Sequence, residues 1–140
     1  MYVIRLRAPV TFLPSLILNF SLSMVFAIIS DTHDNLNNTK KVINWLHNQK
    51  ISFILHCGDI CTQGSMDEMV KSFEGQIKFV KGNGDYGLDI PEIMELKLDK
   101  KKIFFNHYPD IAKKAAESDK YDLVFYGHTH KPWEEKIGKC

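Results

Sequence analysis

The chain has 140 residues, 44% of them hydrophobic and 25% charged, with 18 Lys and Arg against 17 Asp and Glu for a net charge of +1. That length holds one domain with a real core. A charge so close to zero gives no electrostatic case for a nucleic-acid or membrane surface.

The first 23 residues stand apart. Arg5 and Arg7 precede an uncharged run from Ala8 to Ser30 that superficially resembles a signal peptide or an anchor. Pro9, Pro14 and Asn19 count against a spanning helix, and Val25–Ile29 is needed as the first strand. The preferred reading takes Met24 as the natural start and residues 1–23 as an N-terminal extension. A leader cleaved after Ser21-Leu22-Ser23 and a membrane anchor are the alternatives.

From Met24 the chain alternates. Val25–Ile29 is a continuous apolar run, as expected of a strand buried on both faces. After a loop over Ser30–Asn35 comes a helix to about Asn48, with Leu36, Val42, Ile43 and Leu46 near one face. Ser52–His56 reads as a second strand, Ser65–Phe73 as a second helix and Ile77–Val80 as a third strand. That order predicts parallel strands joined by right-handed crossovers. Ile93–Leu98 and Lys102–Asn106, about a charged turn, predict a hairpin. A helix from about Asp110 to Ser118 leads to the strand Asp122–Tyr126, and Pro132–Ile137 reads as the start of another strand.

Polar residues gather where these strands stop. The ends carry Asp31-Thr32-His33, Gly58-Asp59, Gly82-Asn83, His107 and Gly127-His128-Thr129-His130. In parallel sheets ligands bind at the carboxyl edge. An extended Asp31-Thr32-His33 turns both flanking side chains to one side, and Asp59 has two oxygens that could bridge two cations. With Asn83, His107, His128 and His130 there are seven donors, enough for two ions sharing one bridge. Nitrogen and oxygen without thiolate suit Mn²⁺, Fe, Zn²⁺ or Ni²⁺ better than Ca²⁺ or Mg²⁺.

In this order the motifs Asp31-x-His33, Gly58-Asp59, Gly82-Asn83-x-Asp85, His107 and Gly127-His128-x-His130 resemble those of the calcineurin-like metallophosphoesterases. Ile29-Ser30-Asp31-Thr32-His33-Asp34-Asn35 points to their small bacterial and archaeal phosphodiesterase branch. The resemblance covers about residues 24–137. It implies an α/β fold, a four-layer α/β/β/α sandwich, with residues 24–140 as the phosphoesterase domain and its C-terminal strands missing. It implies two divalent cations, manganese before nickel, zinc or iron. Asp31, His33, Asp59 and His130 would bind one; Asp59, Asn83, His107 and His128 would bind the other. The implied reaction is attack of a metal-bridging hydroxide on a small-molecule phosphodiester, with Asn83 also near a phosphate oxygen.

One departure concerns proton delivery. Many members carry a histidine after the asparagine, and small phosphodiesterases often a cysteine, but here the position is Gly84. Asp85 or water must then protonate the leaving group, so Asp85 is read as catalytic and good leaving groups such as aryl diesters are expected to be favoured. The rival readings are a catalytically weak fragment, a nuclease, or an interaction scaffold, since the same fold serves as a retromer coat subunit that has lost metal-site residues. A homo-oligomer stays open.

Several residues have plainer readings. Gly82-Asn83-Gly84-Asp85-Tyr86-Gly87 matches G-x-G-x-x-G but opens no helix, so a dinucleotide site is not expected. His56 is either a hydrogen-bonding support for Asp59 or another ligand, or a satisfied semi-buried histidine. His47 is given no role. Asp34 and Asn35 are read as helix caps. Trp45 is read against the sheet, while Tyr108 and Trp133 offer a stacking surface or core. Three cysteines are not a disulfide framework and fit a reducing, cytoplasmic compartment, with Cys57 as a small buried hydrophobe.

Overall fold

The computed structural model describes residues 25–98, 100–131 and 133–140, so the reading of residues 1–23 lies outside the described residues. The elements run β1 (Ala27–Ile29), α1 (Leu36–Asn48), β2 (Phe53–His56), α2 (Gln63–Ser72), β3 (Gln76–Phe79), β4 (Ile93–Leu98), β5 (Lys101–Asn106), α3 (Pro109–Glu117) and β6 (Leu123–Phe125). β1, β2 and β3 form one parallel sheet in that order. β4 and β5 pair antiparallel, and β6 joins β5 in parallel to make a second sheet.

Strand alternation builds two cores. Ala27, Ile29 and Ile54 point from the first sheet toward Ile43 and Leu46 of α1 and Met69 of α2. Phe26, Ile28, Phe53 and Leu55 point the other way, against Ile103 and Phe105 of β5 and Phe125 of β6. α3 buries Ala112 and Ala116 beside the second sheet. The layers therefore run helices, sheet, sheet, helix, as the resemblance implied.

Caps decide the helix starts. Asn38 N–H donates to Asn35 Oδ1 at 3.1 Å, starting α1 where expected. Ser65 N–H donates to Thr62 Oγ1 at 3.3 Å, which starts α2 two residues before the expected Ser65. α3 opens on Pro109, whose missing N–H is no loss at the first helical position. Asp34 does not cap α1. Its carboxylate accepts Thr62 Oγ1–H at 2.7 Å and Ser65 Oγ–H at 2.5 Å, tying the loop after β1 to the start of α2.

Three further readings change. Pro132 is not described, and residues 133–137 form no strand. Glu134, Glu135 and Lys136 break the alternation a half-buried strand needs. The tail instead turns back on itself, with Lys139 N–H donating to Asp119 Oδ1 at 3.2 Å and Cys140 N–H to Ile137 O at 2.9 Å. His47, assigned nothing, accepts the N–H of Glu74 at 3.1 Å and stacks on Phe73 at 5.6 Å, joining the end of α1 to the end of α2. Trp45 is half outside rather than packed on the sheet. No helix among the described residues is long and apolar enough to cross a membrane.

Candidate metal centre

The carboxyl ends of β1, β2, β3, β5 and β6 bring five loops to one edge, and the seven expected donors come with them. Five of these residues hold left-handed backbone: Asp31 at φ 57, His33 at 43, Asp59 at 58, His128 at 72 and His130 at 53. Each such non-glycine residue costs on the order of 1 kcal/mol or more. Backbone hydrogen bonds hold the strained loop after β1: Asp31 N–H to Gly58 O at 2.9 Å, and His33 N–H to Asp59 O at 3.0 Å.

The donors fall into two groups sharing one carboxylate. In the first, His130 Nε2 lies 3.4 Å from Asp31 Oδ1 and 3.3 Å from His33 Nε2. In the second, His107 Nε2 lies 3.1 Å from both Asn83 Oδ1 and His128 Nδ1, which are themselves 2.9 Å apart. Asp59 Oδ2 stands between the groups, 3.7 Å from His33 Nε2 and 3.5 Å from His107 Nε2. Asp31 also shares with Asp59 and His107 a set of donor atoms within 4.8 Å, placing its carboxylate on the Asp59 side of the first group.

These spacings fit cations. Ligand atoms about 2.1 Å from one ion stand roughly 3.0–3.4 Å apart in octahedral or tetrahedral geometry. The donors are nitrogen and oxygen only, the mixture that divalent transition metals take.

The support around the donors is specific. His107 is fully buried, and its Nδ1–H donates to Cys57 O at 2.8 Å, which aims Nε2 at the centre. Gly84 N–H occupies Asp59 Oδ1 at 2.7 Å, leaving Oδ2 for the shared position. His128 N–H donates to both oxygens of Asp31 at 3.1 and 3.2 Å. Two glycines permit the close approach. A Cβ at Gly127 would strike Ser30 Oγ, and one at Gly58, where φ is +91, would lie 2.7 Å from His107 Nδ1. Asp59 and His107 form the buried floor, while His33, Asn83, His128 and His130 make an exposed rim.

The expectation for Asp85 is corrected. Its side chain is fully buried and accepts three main-chain N–H groups, from Asp59 at 2.9 Å, Gly82 at 2.7 Å and Cys61 at 2.7 Å. A carboxylate so surrounded has both oxygens taken up by the main chain and is shut away from any leaving group. It clamps the loops after β2 and β3 together.

His56 does not reach Asp59; its Nε2 lies 3.1 Å from Thr32 Oγ1. Tyr108 does stand at the site, its ring 5.1 Å from His107 and 5.7 Å from His128. Trp133 is 70% exposed and instead lines a groove with Pro109, Ala112 and Ala116 beside α3. Cys61, which with Cys57 could suggest half of a zinc site but has no second cysteine pair to complete it, has its Sγ 3.4 Å from His33 Nδ1, a contact sequence reasoning missed. No local spacing announces that contact, because it joins residues 28 apart. Cys57 is fully buried, and burial pushes its thiol far above the usual range.

Comparison with known proteins bears on this arrangement. A calcineurin-like phosphoesterase superfamily domain matches the chain over residues 24–140. A phosphodiesterase of Methanocaldococcus jannaschii is 29% identical over an alignment of 130 residues, spanning 81% of this chain and 78% of that protein. The structure of a novel archaeal phosphodiesterase superposes with a TM-score of 0.71 at 27% identity, over 80% of this chain and 77% of that one. Vps29 of Chaetomium thermophilum superposes with a TM-score of 0.63 at 23% identity, over 78% of this chain and 65% of that one, a likeness of fold.

Proposed function

The chain belongs to the calcineurin-like phosphoesterase superfamily, and from that premise we propose that it hydrolyses phosphodiesters with two divalent cations held across Asp59. The observation that carries this is the position of Asp59 Oδ2, 3.7 Å from His33 Nε2 and 3.5 Å from His107 Nε2. One oxygen faces both groups of donors. Asp31, His33 and His130 would complete one coordination set, and Asn83, His107 and His128 the other. When bound, such a pair supplies Lewis acidity toward phosphoryl oxygens and lowers the pKa of water. Manganese is the first choice, with nickel, zinc and iron as alternatives.

The chain's own residues divide the remaining work. Asp59 and His107, buried and hydrogen-bonded, hold their donors rigid on the floor of the site. Asn83, on the exposed rim, can offer its amide N–H to a phosphoryl oxygen. Gly84 brings no acid to the leaving group and Asp85 is sealed away, so solvent water returns the proton. A small-molecule diester with a good leaving group suits that arrangement. We also take residues 24–140 as the phosphoesterase domain, a reading supported by the span of the family match. Three free thiols support a reducing, cytoplasmic setting.

The test is turnover of bis(4-nitrophenyl) phosphate by metal-stripped protein refilled separately with Mn²⁺, Ni²⁺ or Zn²⁺. Turnover should return with at least one ion and be lost in Asp59→Asn. Unchanged turnover in that variant would remove the bridge.

A further inference from the structure

Thr32 sits between two proposed ligands, Asp31 and His33, both in left-handed backbone. Its hydroxyl lies 3.1 Å from Nε2 of His56, the last residue of β2. His56 is 0% exposed, its ring 5.5 Å from Phe79, and its Nδ1 has no hydrogen-bond partner among the described residues. An unpaired buried polar atom carries an uncompensated desolvation cost, which an apolar ring of similar shape would avoid. The imidazole is therefore a poor choice for stability alone. Burial holds it neutral, with its pKa pushed down to about 4. What it supplies is one directed hydrogen bond.

We propose that His56 is a positioning residue, which through the Thr32 hydroxyl fixes the Asp31-Thr32-His33 loop so that Asp31 and His33 aim at one cation. This rests on the two-cation reading above. The bonds from Asp31 N–H to Gly58 O and from His33 N–H to Asp59 O fix the flanking peptides. The Thr32–His56 bond restrains the residue between them, from inside the core. Both proposed ligands then move as one unit with the end of β2, the same strand whose following loop presents Asp59. Outer partners of this kind change metal affinity by 10–100-fold when removed.

The experiment titrates Co²⁺ into the full metal-stripped chain, reading visible absorption, for wild type, Thr32→Val, Thr32→Ser, His56→Phe and the Thr32→Val/His56→Phe double variant. Thr32→Val and His56→Phe should each weaken Co²⁺ binding about 10-fold or more. The double variant should be no weaker than the worse single, since both remove the same bond. Thr32→Ser, which keeps the hydroxyl, should bind like wild type. His56→Phe should melt no lower than wild type. Thr32→Val binding as tightly as wild type would overturn the proposal, whatever happens to the stability of His56→Phe. So would single effects that multiply in the double variant. A wild-type chain that binds no Co²⁺ would overturn the two-cation reading and this proposal together, a result distinct from variants that merely match a binding wild type.

Discussion

The carboxylate of Asp85 accepts the main-chain N–H of Asp59 at 2.9 Å, so the residue common to both donor groups is held from behind by a second, buried acid. The same Oδ2 accepts Gly82 N–H and the other oxygen accepts Cys61 N–H. The two loops that bring Asp59 and Asn83 together therefore share one clamp, 26 residues from the group it steadies.

Removing the clamp should be costly. Asp85→Ala strands three N–H groups, and at about 1–3 kcal/mol for each unpaired group the loss should reach at least about 3 kcal/mol. The guanidinium midpoint of the metal-free chain measures it. Asp85→Asn, which keeps one acceptor oxygen, should lose less. Among refolded Asp85→Asn protein, aryl and alkyl diesters should slow by the same factor. A selective loss of alkyl turnover would restore Asp85 as an acid.

Acid should destabilise the chain through His56. Its folded pKa, lowered by burial to about 4, lies below the ordinary 6.5, so the unfolded chain binds more protons between those values. Stability is therefore full above pH 6.5 and falls as the pH drops toward 4. At about 1.4 kcal/mol per pH unit the loss is on the order of 3 kcal/mol. Urea unfolding of metal-free protein across that range should show a shallower slope in His56→Phe than in wild type.

Leaving-group chemistry should expose the missing side chain at Gly84. Aryl phosphodiesters should be hydrolysed much faster than alkyl ones, because general acid assistance is worth about 10²–10⁴-fold and no side chain supplies it here. A Cβ at Gly84 would lie 3.1 Å from Cys61 Sγ, a contact the thiol can relieve by turning, and 3.2 Å from Asp59 Oδ1, which must give by a few tenths of an ångström. Gly84→His should then raise alkyl turnover by about 10-fold or more while leaving aryl turnover nearly unchanged. Equal wild-type rates on the two substrates would discard the idea.

Gly127→Ala should damage the loop that carries His128 and His130. The new methyl would meet Ser30 Oγ, and would lie 2.9 Å from both Asp31 Oδ2 and Cys57 O. Overpacking of this kind costs typically 1–3 kcal/mol. It should also weaken the His128 N–H contact to Asp31. Calorimetric metal titration should show weaker binding, and thermal melting should fall by several degrees.

Much of this protein was legible along the chain. Apolar runs such as Ile28-Ile29 and Ile54-Leu55, and caps such as Asn35, placed the nine elements of the described residues to within a residue or two, because period and capping depend on near neighbours. The polar groups at strand ends showed where a site would form, since parallel strands deliver their carboxyl edges to one side. The exceptions share a cause. Asp85, His56 and Cys61 each find a partner across 24 to 28 residues, and His128 finds Asp31 across 97. Residues 133–137 lacked the alternation to continue as a strand, and Lys139 beyond them bonds instead to Asp119 in the turn after α3. Which residue types stand at the sheet edge is written in the chain. Whether a given carboxylate grips a backbone or faces a cation is decided only when the loops close, because that choice belongs to whichever donors reach it first.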